Sequence, residues 1–178
     1  TASGADGQDS LISIEVVTGS AFDDTLIAGG SSEGGLIDAL HFFRLEGGNG
    51  NDSLVGGNLT DRLDGGDGND TLIGGDGADR LTGGLGNNSI DGGDNAAYDL
   101  EGNTFGIRAF SDVLVYADAP ISGPVFVDMG AGTASGTGFA DTFTGIELIA
   151  DTAGNDTFIG SSRDEVFFGS VNNNTGND

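Results

Sequence analysis

From Gly47 the chain divides into consecutive nines: GGNGNDSLV, GGNLTDRLD, GGDGNDTLI, GGDGADRLT, GGLGNNSID and GGDNAAYDL. Position six holds Asp52, Asp61, Asp70, Asp79, Asn88 and Ala97. Position eight holds Leu54, Leu63, Leu72, Leu81, Ile90 and Asp99. Four frames keep both signatures, the fifth keeps them in weakened form, and the sixth loses both, so the array ends there. A fixed period of this kind means one short structural unit stacked on itself.

Each position has a physical reason. Glycines permit positive φ and close backbone approach, so the first six residues of a frame curl into a tight turn. Curled backbone turns carbonyl oxygens inward, and the position-six carboxylate adds a charged oxygen. Carbonyls and carboxylates gathered at one point are the hard-oxygen set that calcium takes, about six to eight ligands. Residues seven to nine then form a short strand. Side chains alternate along a strand, so only position eight faces inward. Two nines make one coil of turn, strand, turn, strand, and stacked coils make two parallel sheets. Acids eighteen residues apart then stack, pairing Asp52 with Asp70 and Asp61 with Asp79, each pair sharing an ion; Asp70 with Asn88 makes a weaker site. Stacked carboxylates repel at short range without a cation between them.

Composition agrees. Glycine is 35 of 178 residues, nearly three times the usual share of about 7%. Apolar residues are 36%, below the usual share of about 45–50%, which excludes a thick layered core. Cysteine is absent and the formal charge is −24, with 5 basic residues, all arginine, against 29 acids. Such a surface repels nucleic acid and anionic membrane and attracts cations. No apolar run reaches the length of a membrane-spanning helix.

The frames match GGxGxDxUx and so resemble the hemolysin-type calcium-binding repeat of repeats-in-toxin (RTX) proteins. The resemblance implies an all-β fold, a right-handed parallel β-roll or β-solenoid with several Ca2+ ions in the turns. It passes metal binding to Asp52, Asp61, Asp70 and Asp79, and in weaker form to Asn88. The turn glycines Gly48, Gly50, Gly66, Gly68, Gly75 and Gly77 would contribute carbonyls. It also implies a secreted or cell-surface bacterial protein, exported unfolded by type I secretion and folded outside. Related rolls accompany polysaccharide-processing enzymes, adhesins and surface-layer proteins. A polysaccharide-binding or assembly role is therefore the alternative.

The flanks are degenerate copies of the same design. Residues 1–30 align with residues 133–162 at an offset of 132. Asp9 and Asp24 match Asp141 and Asp156, and these four acids are further candidate ligands. ISIEVV and TGIELI between them read as strands, so each copy is expected to be a coil with two acidic turns. Residues 31–46 read as an irregular insert or cap, 101–132 as wider coils of the same solenoid, and 133–178 as a second, incomplete array. The chain starts and stops in mid-repeat and reads as a piece of a longer array. Pro120 and Pro124 bracket a turn between the alternating phrases VLVYADAP and PVFVDMGAG.

Other chemistry finds little support. His41, the single histidine, lies in DALHFFRL beside two phenylalanines and reads as a packing residue. A zinc site lacks ligands. A serine triad would depend on that one histidine and has no GxSxG elbow. The acids are explained by their spacing better than as a glycosidase pair. Arg62 and Arg80, both at position seven, would stack on an outer face near Asp64 and balance charge there. The chain is read as non-enzymatic.

Overall fold

A computed structural model describes residues 16–28, 43–94, 112–117, 121–150, 154–163 and 165–168. Fifteen strands and no helix occur among the described residues. Residues 31–42 of the expected cap at 31–46, the first copy's Asp9, and His41 lie outside them.

Strands alternate between two sheets. The seven-stranded sheet takes β1 (Val16–Thr18), β3 (Arg44–Asn49), β5 (Arg62–Asp67), β7 (Arg80–Leu85), β9 (Val113–Val115), β13 (Leu148–Ala150) and β15 (Val166–Phe168), in that order. Every neighbouring pair in it is parallel. The eight-stranded sheet runs from β2 (Thr25–Ile27) through β4 (Ser53–Gly57), β6 (Thr71–Asp76) and β8 (Ser89–Asp94). It continues through β12 (Phe139–Thr144), β11 (Thr133–Gly136), β10 (Phe126–Asp128) and β14 (Thr157–Ile159). One nine thus adds one strand to one sheet, and the next nine adds one to the other. The chain is a parallel β-roll.

Register follows the period. Leu45, Leu63, Leu81, Leu114, Ile149 and Phe167 stand level across the first sheet. Leu26, Leu54, Leu72, Ile90 and Phe143 do so across the second. Leu54, Leu63, Leu72 and Leu81 are fully buried. One aliphatic side chain per nine fills an interior one side chain wide. Backbone sits directly on backbone at the turns. A Cβ at Gly66 (φ +102°) would strike the carbonyl of Gly48, and one at Gly68 (φ +146°) the carbonyl of Gly50. Only glycine fits these positions.

Two features depart from the sequence reading. Residues 44–46, assigned to the irregular insert, are the start of β3, and Arg44 stands level with Arg62 and Arg80. Arg44 pairs with Glu46, and Glu46 stands level with Asp64. The outer arginine row thus has three members interleaved with acids. Second, β10, β11 and β12 form an antiparallel meander inside an otherwise parallel sheet. Thr137 and Gly138 close the β11–β12 hairpin, with Gly138 at φ +90°. Asp141 consequently lies on the inner face of strand β12, not in an acidic turn.

Candidate metal centre

Each turn ends on its position-six side chain, which points into the roll because the position-eight leucine two residues on does so too. Asp52, Asp61, Asp70 and Asp79 are all at least 98% buried, with exposures of 1–2%. One oxygen of each is used between coils. The N–H of Asp52 donates to Asp70 Oδ1 at 2.8 Å, and that of Asp61 to Asp79 Oδ1 at 2.7 Å. The same bond joins Asp24 to Asp52 at 2.8 Å and Phe43 to Asp61 at 2.9 Å. Two rows result, one along each edge of the roll.

The second oxygen has no such donor. Oδ2 of Asp52, Asp61, Asp70 and Asp79 is buried without a hydrogen-bond partner. At the first glycine of each frame, the space a Cβ would take is bordered by that Oδ2 and by the equivalent glycine carbonyl of the next coil. A Cβ at Gly56 would lie 2.7 Å from Asp61 Oδ2 and against Gly74 O. One at Gly65 would lie 2.6 Å from Gly83 O and against Asp70 Oδ2; one at Gly74, 2.5 Å from Gly92 O and against Asp79 Oδ2. Gly47 repeats this with Asp52 Oδ2 and Gly65 O. A carboxylate oxygen without a donor in a buried cradle bordered by a carbonyl is an arrangement a hard cation satisfies. Among the described residues no three His, Cys, Asp or Glu side chains cluster to hold a metal. Carbonyls must therefore supply much of any ligand set, and the donors present fit calcium on those terms.

The electrostatics agree. Burial pushes the carboxyls of Asp61 and Asp70 up to about 6 and that of Asp79 up to about 8; for Asp79 the neighbouring charges of Asp112 and Asp61 add to the effect. Asp52 is raised in the same sense, by burial first. The inter-coil N–H bonds, joined at Asp61 by the N–H of Gly57 in its own frame, oppose these shifts and do not cancel them.

The other sequence candidates fall in varied places. Gly48, Gly50, Gly66 and Gly68 carry their carbonyls against the glycines of the next coil, as stacking contacts. Gly75 likewise sits on Gly57 O and faces Gly93, and Gly77 sits on Leu59 O. First-position glycines, which the sequence reading left out, also turn carbonyls towards the Oδ2 cradles. Asp24 continues the Asp52 row, but its Oδ2 accepts from Ser20 N at 2.6 Å and Ser20 Oγ at 2.9 Å. Asp156 accepts from Val125 N at 2.7 Å. Asn88 and Asp141 close the Asp52–Asp70 row.

Asp112 and Glu147 were missed. Asp112 Oδ1 accepts from Asp79 N at 2.7 Å, and Glu147 Oε2 from Asp112 N at 3.0 Å, so both extend the Asp61–Asp79 row. The signal that finds them is local. In Asp112-Val113-Leu114 and Glu147-Leu148-Ile149 an acid precedes an inward aliphatic by two, as in every good frame.

Among the described residues a second ladder marks only the edge of Asp52 and Asp70. Asn51 N donates to Asp23 Oδ1 at 2.8 Å, Asn69 N to Asn51 Oδ1 at 2.9 Å, and Asn87 N to Asn69 Oδ1 at 2.8 Å. These bonds run opposite to those of the neighbouring position-six residues, so successive coils grip each other in both directions.

Fold and register together define a parallel β-roll of stacked nonapeptide turns. The pattern of the RTX calcium-binding nonapeptide repeat matches four times, at residues 12–32, 44–72, 64–96 and 141–176. These matches cover more than half of the sequence, and the chain belongs to that family. It is a calcium-binding repeat module. No curated protein and no solved structure matches the chain.

Proposed function

We propose that this chain is a calcium-triggered folding module of a secreted bacterial protein. The observation that carries the reading is the double row of buried, donorless Oδ2 atoms at Asp52, Asp61, Asp70 and Asp79, each beside a carbonyl of the next coil. The oxygens of one cradle come from two coils, so an ion there ties coil to coil. Binding free energy then becomes folding free energy. Extracellular calcium modules bind at about 10⁻⁴–10⁻³ M. Sites of that strength stay empty at low intracellular calcium and fill outside the cell, which suits export of an unfolded chain by type I secretion. Many weak sites that bind only the folded state add up by mass action. Far-ultraviolet circular dichroism tests this: calcium should raise the β signal and chelator should abolish it. A spectrum indifferent to both refutes the proposal.

One observation favours a second role on the same scaffold. Thr25, Ser53, Thr71, Ser89, Thr142 and Thr133 stand level across six strands of the eight-stranded sheet. Ile27, Val55 and Ile73 form a parallel aliphatic row. This strip, neutral until Asp91 and Asp128 continue its two rows, suits a polyhydroxyl polymer. Retention of the chain on immobilised neutral polysaccharide, lost in Thr71→Asp, would support that role.

A further inference from the structure

At Asn88 the cradle changes character. Its Oδ1 accepts from Asp70 N at 2.9 Å, which fixes the amide orientation, because the backbone N–H must face an oxygen. Its Nδ2 therefore occupies the place that Oδ2 takes in Asp52 and Asp70, 2.7 Å from where a Cβ of Gly83 would stand. An NH2 group donates hydrogen bonds and offers no lone pair to a cation. The three atoms nearest that Cβ position all belong to Asn88, and no carbonyl of the following coil is among them. The chain that follows along this edge is the hairpin β11–β12 instead of a glycine turn.

The next carboxylate, Asp141, is 2% exposed and has a neutral donor on each oxygen. Oδ1 accepts from Asn88 N at 3.1 Å and from Asn88 Nδ2 at 2.9 Å. Oδ2 accepts from the hydroxyl of Tyr116 at 3.1 Å. Tyr116 is itself fully buried and stacks on Phe139 with ring centroids 5.0 Å apart.

We infer that the Asn88 amide stands in for a cation and ends the calcium row of the Asp52–Asp70 edge. Asn88, Asp141 and Tyr116 form a closing rung that needs no metal. The inference rests on the calcium reading of the rows. Along the other edge Asp112 continues the acids where this edge has Asn88, so the two rows end differently.

Calorimetric titration of the full chain with calcium tests it, comparing Asp70→Asn with Asp141→Asn. Asp70→Asn should bind at least one ion fewer than wild type, and Asp141→Asn the same number as wild type. Fewer ions in Asp141→Asn make Asp141 a ligand and overturn the inference alone. A wild type that takes up no calcium, or an Asp70→Asn count equal to wild type, instead overturns the reading beneath it. Tyr116→Phe in saturating calcium gives a second measure, since it keeps the ring packing and removes one donor. Its melting temperature should fall by about 2–12 °C, as for a buried acceptor left unpaired. An unchanged melting temperature would mean that something other than Tyr116 satisfies Asp141, and would overturn the closing rung.

Discussion

The N–H of Asp52 donates to Oδ1 of Asp70 at 2.8 Å, while Oδ2 of the same Asp70 carboxylate is buried with no donor. One oxygen thus fastens the preceding coil, and in the proposed function the other presents charge to a site between coils.

Those jobs separate in Asp70→Asn. The amide oxygen can still accept from Asp52 N, and the buried charge is gone. Without calcium the variant should be at least as stable as wild type. With calcium it should gain less, and the calcium midpoint should rise several-fold. Thermal melts with calcium and with chelator measure both arms. A variant destabilised equally in the two conditions would show that Oδ2 has no part in ion binding.

Acid should substitute in part for calcium. The carboxyls of Asp61 and Asp70 are raised to about 6 and that of Asp79 to about 8. The unfolded chain titrates near 3.9. With folded values above unfolded ones, the folded state binds more protons, and stability falls as pH rises through the folded values. The calcium-free chain should therefore be most folded near pH 4. It should lose stability between pH 4 and 6 through Asp61 and Asp70, and on towards pH 8 through Asp79. Calcium affinity should climb over the same range, because the ion competes with protons. Circular dichroism in chelator from pH 4 to 9 tests the first claim, and titrations at pH 6 and 8 test the second.

Gly74→Ala places a methyl against Asp79 Oδ2 and 2.5 Å from Gly92 O. It fills one cradle without removing any ligand side chain. Overpacking of this kind costs about 1–3 kcal/mol. Calorimetry should also show at least one ion lost. An unaltered ion count would move the site away from the first-position glycines.

Leu72→Ala tests the interior. Leu72 is fully buried between Leu54 and Ile90 on one face of the core. The substitution should cost about 2–5 kcal/mol. Because folding and binding are coupled in the proposed function, the variant should also need more calcium to fold, although it touches no ligand. A calcium midpoint that stays put would uncouple the two processes.

Within the array the sequence was a reliable guide to the architecture. The pairing of Asp52 with Asp70 and of Asp61 with Asp79 follows from the eighteen-residue coil, and the inward leucines follow from strand alternation. Legibility failed where the period broke. Asp112 lies 33 residues after Asp79 yet occupies the next place in its row, and Asp141 lies 53 after Asn88. Counting by nines could not reach either one. Asp141 also resembled a turn acid because its neighbours align with the chain's beginning, whereas Gly138 folds that segment into a hairpin. Arg44 was hidden because Phe43 holds the position-six place, where only the backbone N–H is needed to meet Asp61. The first-position glycines were overlooked for a related reason. Sequence marks where a side chain is absent, whereas the stacking of coils decides which carbonyl borders the gap.

Coil rests on coil through bare backbone at Gly48 and Gly66 and at Gly50 and Gly68, which gives the molecule a grammar of length. Duplicating eighteen residues would lengthen the cylinder and leave every downstream strand on its original wall. Inserting nine would transfer all of them to the opposite wall. Growth by whole turns is silent, and growth by halves turns the molecule inside its own outline.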